Sequence, residues 1–226
     1  MSTRTGGVSP PPLGMNLSFS VGDLQENVRR NRAIFFGGIG VPLDRLALQR
    51  QVHGAKVQVV RSPGEFPETD ALVTAEPRVF LCVSIADCVP ILLLDPVRRV
   101  VGAVHAGWRG TAAGIVGEAV RTMSREFNCD PRSLLAYIGP AADRCCYAVG
   151  QEVASSFPGE SLSHRDGRIY LDLKMSNRGQ LLSEGMLPHR ISVSPYCTIS
   201  DATLFHSHRR EGTKSGRMMA VIGLTA

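Results

Sequence analysis

The sequence predicts an α/β fold of the mixed α+β kind: a single domain whose mixed β-sheet core is packed by helices. Three observations carry this expectation. Apolar runs of strand length recur at 79–85, 91–94 and 100–104, and runs so uninterrupted belong to strands covered on both faces. Residues 111–127 carry Ile115, Ala119, Val120 and Met123 on one face at helical spacing. The two element types also mix without the strict βαβ alternation of a Rossmann sheet. A chain of 226 residues fits one domain of this kind.

The elements follow in order. Residues 1–13 are polar and rich in proline and glycine, with no apolar signal core. They are expected to form a disordered tail ahead of a domain spanning 14–226. A helix is expected to begin near Asp23, which would cap it, with Leu24, Val28 and Ala33 roughly helix-spaced. Residues 52–60 are β-rich, and 61–69 form a turn region around Pro63, Gly64 and Pro67. The strands 79–85 and 91–94 flank a turn at Asp87 and Cys88. A tight turn at 95–99 makes a hairpin of 91–94 and 100–104. The helix 111–127 opens at Thr111. The strand 134–138 ends at Gly139–Pro140, and 150–157 is helical. A short strand at 169–173 precedes a helix over 174–184 that Gly185 stops. Residues 191–193 and 218–224 are late strands.

Composition narrows the function. The net charge is +5, but the basic residues are scattered and never interleaved with aromatics, so no nucleic-acid partner is expected. No apolar stretch spans a bilayer, which predicts no membrane association and a cytoplasmic location. Six cysteines in a chain with ample core material point to reduced thiols rather than a disulfide framework. Cys82 and Cys197 read as buried thiols, and the adjacent Cys145 and Cys146 as packing residues. No feature assigns an oligomeric state.

The chemistry concentrates in three short motifs around His53, Cys88 and His105. Two imidazoles and a thiolate suit zinc, and three protein ligands leave a fourth position open, as in catalytic sites. Copper is a second possible cation for such a set. Taken singly, His53 reads better as a satisfied core or loop histidine and Cys88 as a buried thiol, while His105 alone is ambiguous. Together, Cys88 and His105 each break an apolar strand end. Asp87 supplies an acid beside this set and Arg109 a cation. The turn Gly107–Trp108–Arg109–Gly110 precedes the best helix, where an anion is favoured. Asp70, Gly139–Pro140 and the segment 212–217 are further candidates, each equally readable as a cap, a turn or a surface loop. His206 and His208 have strand spacing, but their arginine neighbours favour a solvated or anion-binding segment over a metal pair.

Read in order, several blocks resemble one family: Asn16–Leu17–Ser18, Gln51–Val52–His53–Gly54, Thr69–Asp70–Ala71, Ala86–Asp87–Cys88–Val89–Pro90, His105 to Gly110, Ile138–Gly139–Pro140, Cys197–Thr198, and Ser207 to Gly212 with Gly216–Arg217. The chain resembles the laccase-domain, or multicopper polyphenol oxidase-like, family, which is also a purine nucleoside phosphorylase family. The resemblance implies zinc on His53, Cys88 and His105. It implies phosphorolysis of adenosine, inosine, guanosine and methylthioadenosine, with adenosine deamination besides. A purine nucleoside and phosphate would be the partners. Asp87, Cys88 and Arg109 would be catalytic. Asn16 and Ser18 would contact the nucleoside, and Arg109, Arg209 and Arg210 the phosphate. Two alternatives stay open within the resemblance: hydrolytic editing of cell-wall precursor peptides, and copper-dependent phenol oxidation. A metal-binding protein without catalytic activity is a third. The chain departs from the family where Ala148 replaces a glutamate and where His206 and His208 replace aromatics.

Overall fold

In the computed structural model, which describes residues 1–225, the chain runs α1 (Gln25–Gly38), β1 (Leu46–Arg50), β2 (Val57–Val59), β3 (Gly64–Pro67), β4 (Ala71–Thr74), β5 (Phe80–Ile85), β6 (Val89–Asp95), β7 (Val100–Ala106), α2 (Trp108–Ala112), α3 (Ile115–Phe127), β8 (Leu135–Ile138), β9 (Ala148–Val149), α4 (Gln151–Ala154), β10 (Leu162–Arg165), β11 (Arg168–Leu171), α5 (Leu173–Ser183), β12 (Ile191–Val193), α6 (His208–Glu211) and β13 (Met218–Gly223). Six strands form one sheet in the order β12-β8-β6-β7-β4-β2. Four form a second, β13-β5-β1-β3, and β10-β11-β9 make a small third. The two larger sheets each combine parallel and antiparallel pairs, so the expected mixed α/β architecture is present. No helix among the described residues is long and apolar enough to cross a membrane.

The period-two alternation of the strands sets the layers. On β6, Val89, Ile91 and Leu93 enter the cluster that packs on α3, while Leu92 and Leu94 face the other way. On β7, Val104 and Ala106 take the first side, and Val101 and Ala103 the second. The second cluster also holds Ala47, Leu81, Val83 and Ile85 from β1 and β5. The six-stranded sheet is therefore sandwiched between α3 with α5 and the four-stranded sheet. On the outer face of that second sheet, Leu46, Cys82 and Met219 pack against Phe36 of α1. Double-sided burial explains why these strands read as unbroken apolar runs. Each fully buried Leu or Ile contributes roughly 1.5–3 kcal/mol.

Several elements differ from the sequence expectation. The runs 79–85 and 91–94 are both strands, β5 and β6, but they lie in different sheets. Residues 86–88 are thus a crossing between layers. The expected hairpin is present, with Asp95 opposite Val100. The single helix over 111–127 is two helices, because Gly114 takes a left-handed conformation at φ +78° and caps α3. The face Ile115, Ala119, Val120 and Met123 is buried as expected. In α1 the buried residues are Val28, Asn31 and Phe36, while Leu24 and Ala33 face solvent.

Residues 1–13 are a correction: they do not form a frayed tail. The Ser2 N–H donates to Met219 O of β13, the Arg4 N–H donates to Leu204 O, and the Arg4 guanidinium pairs with Glu211 at 2.6 Å. Backbone bonds and a partly buried ion pair hold a segment whose composition alone suggested disorder.

Strand register brings one set of strand ends together. β1 and β5 run parallel and finish side by side. Met218 at the start of β13 lies opposite Ile85 at the end of β5. In the other sheet, the start of β6 meets the end of β7, Val89 opposite Ala106. Ala71, which opens β4, faces Val104, and Ile138, which closes β8, faces Ile91. Since only residues 86–88 separate β5 from β6, both sheets present these ends along one rim.

Candidate functional site

His53, Cys88 and His105 meet at that rim, with their ligand atoms all within 4.8 Å of one another. Each comes from a different connection. His53 follows β1, Cys88 ends the crossing from β5 to β6, and His105 lies at the end of β7. The His53 and His105 rings stand edge to face, with centroids 4.8 Å apart.

Asp70 builds much of this geometry. Its carboxylate is fully buried and accepts the backbone N–H groups of Val52, His53 and Gly54 at 3.2, 2.9 and 2.8 Å. These bonds fold residues 52–54 into a tight bend and hold His53 at φ +61°, a conformation disfavoured for a side chain with a Cβ. The same carboxylate lies 2.8 Å from Nδ1 of His105. Nδ1–H donates to the carboxylate, which leaves Nε2 to offer its lone pair, the usual arrangement behind a metal-ligating histidine. Asp70 therefore acts both at the start of β4 and at the site.

The electrostatics favour a bound cation. Burial opposes ionisation of Cys88, but His105 and His53 outweigh it and hold the thiol below its usual range. Burial likewise disfavours charge on His105, but Cys88 and Asp70 reverse this and raise its proton affinity. The pair thus holds a proton between thiolate and imidazole, which a cation would displace. The backbone is shaped for the same purpose. A Cβ on Gly107 would sit 3.0 Å from His53 Cδ2 and 3.1 Å from Cys88 Sγ. A bare backbone lets both side chains approach at that point without giving way. The two imidazoles and thiolate, with one orienting carboxylate, fit a metal ion with an open position.

Asp87 precedes Cys88 with φ +91°. Its Oδ1 accepts the Thr198 hydroxyl at 2.7 Å and its Oδ2 the Arg209 N–H at 2.6 Å, which aims the carboxylate from a strained backbone. Asp87 and the three ligands line a cavity of about 1090 Å³. Arg32, Arg50, Arg109, Arg209 and Arg217 also line it, against the carboxylates Glu65, Glu68 and Asp87. Arg109 stacks on Trp108 at 4.4 Å and Arg209 on Tyr147 at 4.9 Å from the ring centroids, which preorganises both guanidinium groups.

The residues expected from sequence divide into two sets. His53, Cys88, His105, Asp87, Arg109, Arg209 and Ser18 all border the cavity. Asn16 and Arg210 do not. Asn16 is fully buried. Its amide nitrogen donates to Ser18 O and Asp23 Oδ2, and its oxygen accepts the N–H groups of Ser18 and Arg217. The Arg210 guanidinium donates to the carbonyls of Thr198, Ile199 and Phe205 and to Glu211. Both side chains are spent on bracing the cavity wall, and their expected substrate contacts are corrected accordingly. His206 and His208 do not act as a metal pair: His206 is buried, while His208 is exposed and borders the cavity. Ala148, at the departure from the family pattern, contributes its carbonyl to Arg209 at 2.9 Å. Sequence reasoning missed Arg32 and Arg50, which sit in ordinary helix and strand sequence. Arg217 was visible only as part of a glycine- and cation-rich segment.

The family model described as multi-copper polyphenol oxidoreductase laccase matches residues 1–225. The chain is 39% identical to "Purine nucleoside phosphorylase YlmD" of Geobacillus stearothermophilus, covering 99% of this chain and 88% of that one. It is 41% identical to a purine nucleoside phosphorylase of Deinococcus radiodurans, over 99% and 87%. Among solved structures, a Bacillus licheniformis hypothetical protein, YfiH, superposes with a TM-score of 0.94 at 35% identity, covering 99% of this chain and 91% of that one. With the fold, the rim and the match along nearly its whole length in agreement, the chain belongs to the multi-copper polyphenol oxidoreductase laccase family, whose relatives here carry the name purine nucleoside phosphorylase.

Proposed function

We propose that this protein is a zinc-dependent purine nucleoside phosphorylase acting on adenosine, inosine, guanosine and methylthioadenosine, with adenosine deaminase activity in the same site. The observation that carries this reading is a cavity that places an acid, Asp87, and an arginine cluster beside one His–Cys–His metal set. The names of the relatives support the phosphorylase part.

His53, Cys88 and His105 would hold the zinc, which supplies Lewis-acid polarisation at the cavity floor. In phosphorolysis, a phosphate oxygen forms a bond to ribose C1′ as the C1′–N9 bond breaks. The purine departs with the electron pair and takes up a proton, leaving ribose 1-phosphate. Arg109 and Arg209, held over aromatic rings, suit a phosphate dianion. Arg217 joins them: burial weakens its charge, while nearby Asp87 and Cys88 favour it. Ser18 offers a hydroxyl to the nucleoside. In deamination, water adds at purine C6 and ammonia leaves. Asp87, steadied by Thr198 and the Arg209 N–H, accepts the proton from the incoming water and returns it to the departing amine.

Phenol oxidation by several coppers finds less support in the donor set. Among the described residues the one metal-type cluster containing histidine is His53–Cys88–His105.

The test is to incubate zinc-loaded protein with adenosine, with and without phosphate, and separate the products. Adenine and ribose 1-phosphate that appear only with phosphate are expected, together with inosine in both conditions. Unchanged adenosine in both conditions would refute the proposal.

A further inference from the structure

A second group of sulfurs lies apart from the rim set. Cys145, Cys146 and Cys197 bring their Sγ atoms within 4.8 Å of one another, and those of Cys145 and Cys146 are 3.4 Å apart. All three are free thiols. The adjacent pair was expected to serve packing, yet Cys145 is exposed, so packing does not explain it.

The scaffold beneath the sulfurs is firmly tied. Thr198 N–H donates to Ala141 O, and the N–H groups of Cys146 and Tyr147 converge on Asp143 O. Cys197 N–H donates to Asp201 Oδ2 at 2.9 Å. Buried Lys174 pairs with Asp143 at 2.6 Å and donates to Ser194 O, clamping both segments. Three thiols are thus presented on two braced segments, which a parallel bridge between Ala141 and Cys197 draws together.

Of the three, only Cys197 is drawn toward the thiolate, while Cys146 and Cys145 are held toward the neutral thiol. Burial opposes ionisation of Cys197, but the Ser200 N–H and hydroxyl, with the N–H groups of Asp143 and Ile199, overcome it and favour the thiolate. Cys145 is pushed the other way, to about 12, by burial and by its two sulfur neighbours. Three sulfurs this close do not all ionise unless a positive ion sits among them. Arg165, whose guanidinium donates to the carbonyls of Arg144 and Cys145, lies close enough to offset excess negative charge.

We propose that Cys145, Cys146 and Cys197 hold one thiophilic closed-shell cation, zinc(II) or copper(I), in a second metal site separate from His53, Cys88 and His105. An all-thiolate set selects this class of ion. Zinc would add a water as fourth ligand at the exposed side of Cys145. Copper(I) is satisfied by the three sulfurs. Binding releases the thiol protons to solvent and changes no oxidation state. The occupied cluster would couple the loop carrying Tyr147, which lines the cavity, to the loop carrying Thr198, which aims Asp87.

The test uses the full chain, reduced and stripped of metal. It is titrated with zinc(II) and, separately and without oxygen, with copper(I), and retained metal is measured against a competing chelator. Two equivalents of at least one cation are expected for the wild type, falling to one in Cys197→Ser and in Cys145→Ser. Cys88→Ala should also retain one, bound by the cysteine cluster. The cation that withstands the chelator identifies the occupant. If Cys197→Ser proves unfolded, the exposed Cys145→Ser decides. A wild type that binds one equivalent of either cation, unchanged in Cys145→Ser, would overturn the proposal. So would a disulfide between Cys197 and either neighbour whose reduction restores no metal binding.

Discussion

Asp70 Oδ1 lies 2.8 Å from Nδ1 of His105, with both side chains almost fully buried. Burial disfavours the charged carboxylate, but the His105 bond and the backbone N–H groups of Gly54 and Val52 outweigh that cost and keep it ionised. One carboxylate therefore orients His105 and folds the loop that carries His53. Asp70→Asn preserves the shape but lets an amide N–H face a loop of donors. Zinc affinity is expected to fall about 10–100-fold, read by chelator competition. Unchanged affinity would show that the orientation of His105 does not matter.

Cys88→Ala removes a ligand at a loop crossing rather than in the core. The far-ultraviolet circular dichroism spectrum should stay native, while every zinc-dependent activity drops to background. Full turnover at saturating substrate would dismiss the metal mechanism.

Gly107→Ala tests the close approach of backbone to ligands. The added methyl would press on the His53 ring and the Cys88 sulfur. The two side chains would have to give by a few tenths of an ångström; since a 1 Å misplacement can cost on the order of 100-fold, a loss of roughly 3–10-fold is expected with little change in melting temperature. Activity within twofold of wild type would contradict the geometry.

Arg109 and Arg210 should separate cleanly. Arg109→Ala is expected to raise the KM for phosphate roughly 10-fold, the loss of one charge-assisted contact of about 1.5–3 kcal/mol at most, while the fold is unaffected. Arg210→Ala strands three carbonyls and leaves Glu211 with Arg4 as its remaining guanidinium partner. It should lower unfolding free energy by about 2–4 kcal/mol, measured by urea denaturation. The reverse pattern would mean that the two roles have been exchanged.

The pH dependence of stability should carry a signature of His206. This ring is fully buried, and neither of its nitrogens has a hydrogen-bond partner. Burial first, then Arg4 and Arg217, depress its pKa to about 4, against the partial opposition of Glu211. Unfolded histidine titrates near 6.5. Between those values the unfolded chain binds more protons, so stability falls as pH drops from about 6.5 to about 4 and is retained above that window. The loss is on the order of 3 kcal/mol. Carboxylates add their own slope, so the comparison is with His206→Gln. Unfolding free energies at pH 7, 5.5 and 4.5 should converge between the two proteins as pH falls. Parallel curves would rule His206 out as the source.

The convergence of His53, Cys88 and His105 was legible because each interrupts an apolar or β-rich run, where a polar residue of ligating type needs a reason. The strands β5, β6 and β7 were legible from their unbroken hydrophobicity. That same double-sided burial erased the alternation that distinguishes the two sheets, so the assignment of β5 and β6 to different layers was not. Asn16 and Arg210 have the right chemistry for substrate contacts, but sequence does not reveal that Arg217 N–H and the Thr198 carbonyl already use it. Arg32 and Arg50 reach the cavity only through the pairing of β1 with β5 and the seating of α1, which are long-range facts. The N-terminal residues lack core composition, yet the edge of β13 supplies them with partners.

Strand register also gives the molecule two unlike ends. The cavity and the His53–Cys88–His105 set lie at the rim where β5 crosses to β6. The hairpin turn between β6 and β7 lies at the opposite end, where Val97 is 74% exposed. A tether, label or surface attachment placed there would hold the protein with its cavity facing outward, and immobilised molecules would keep free access to solutes.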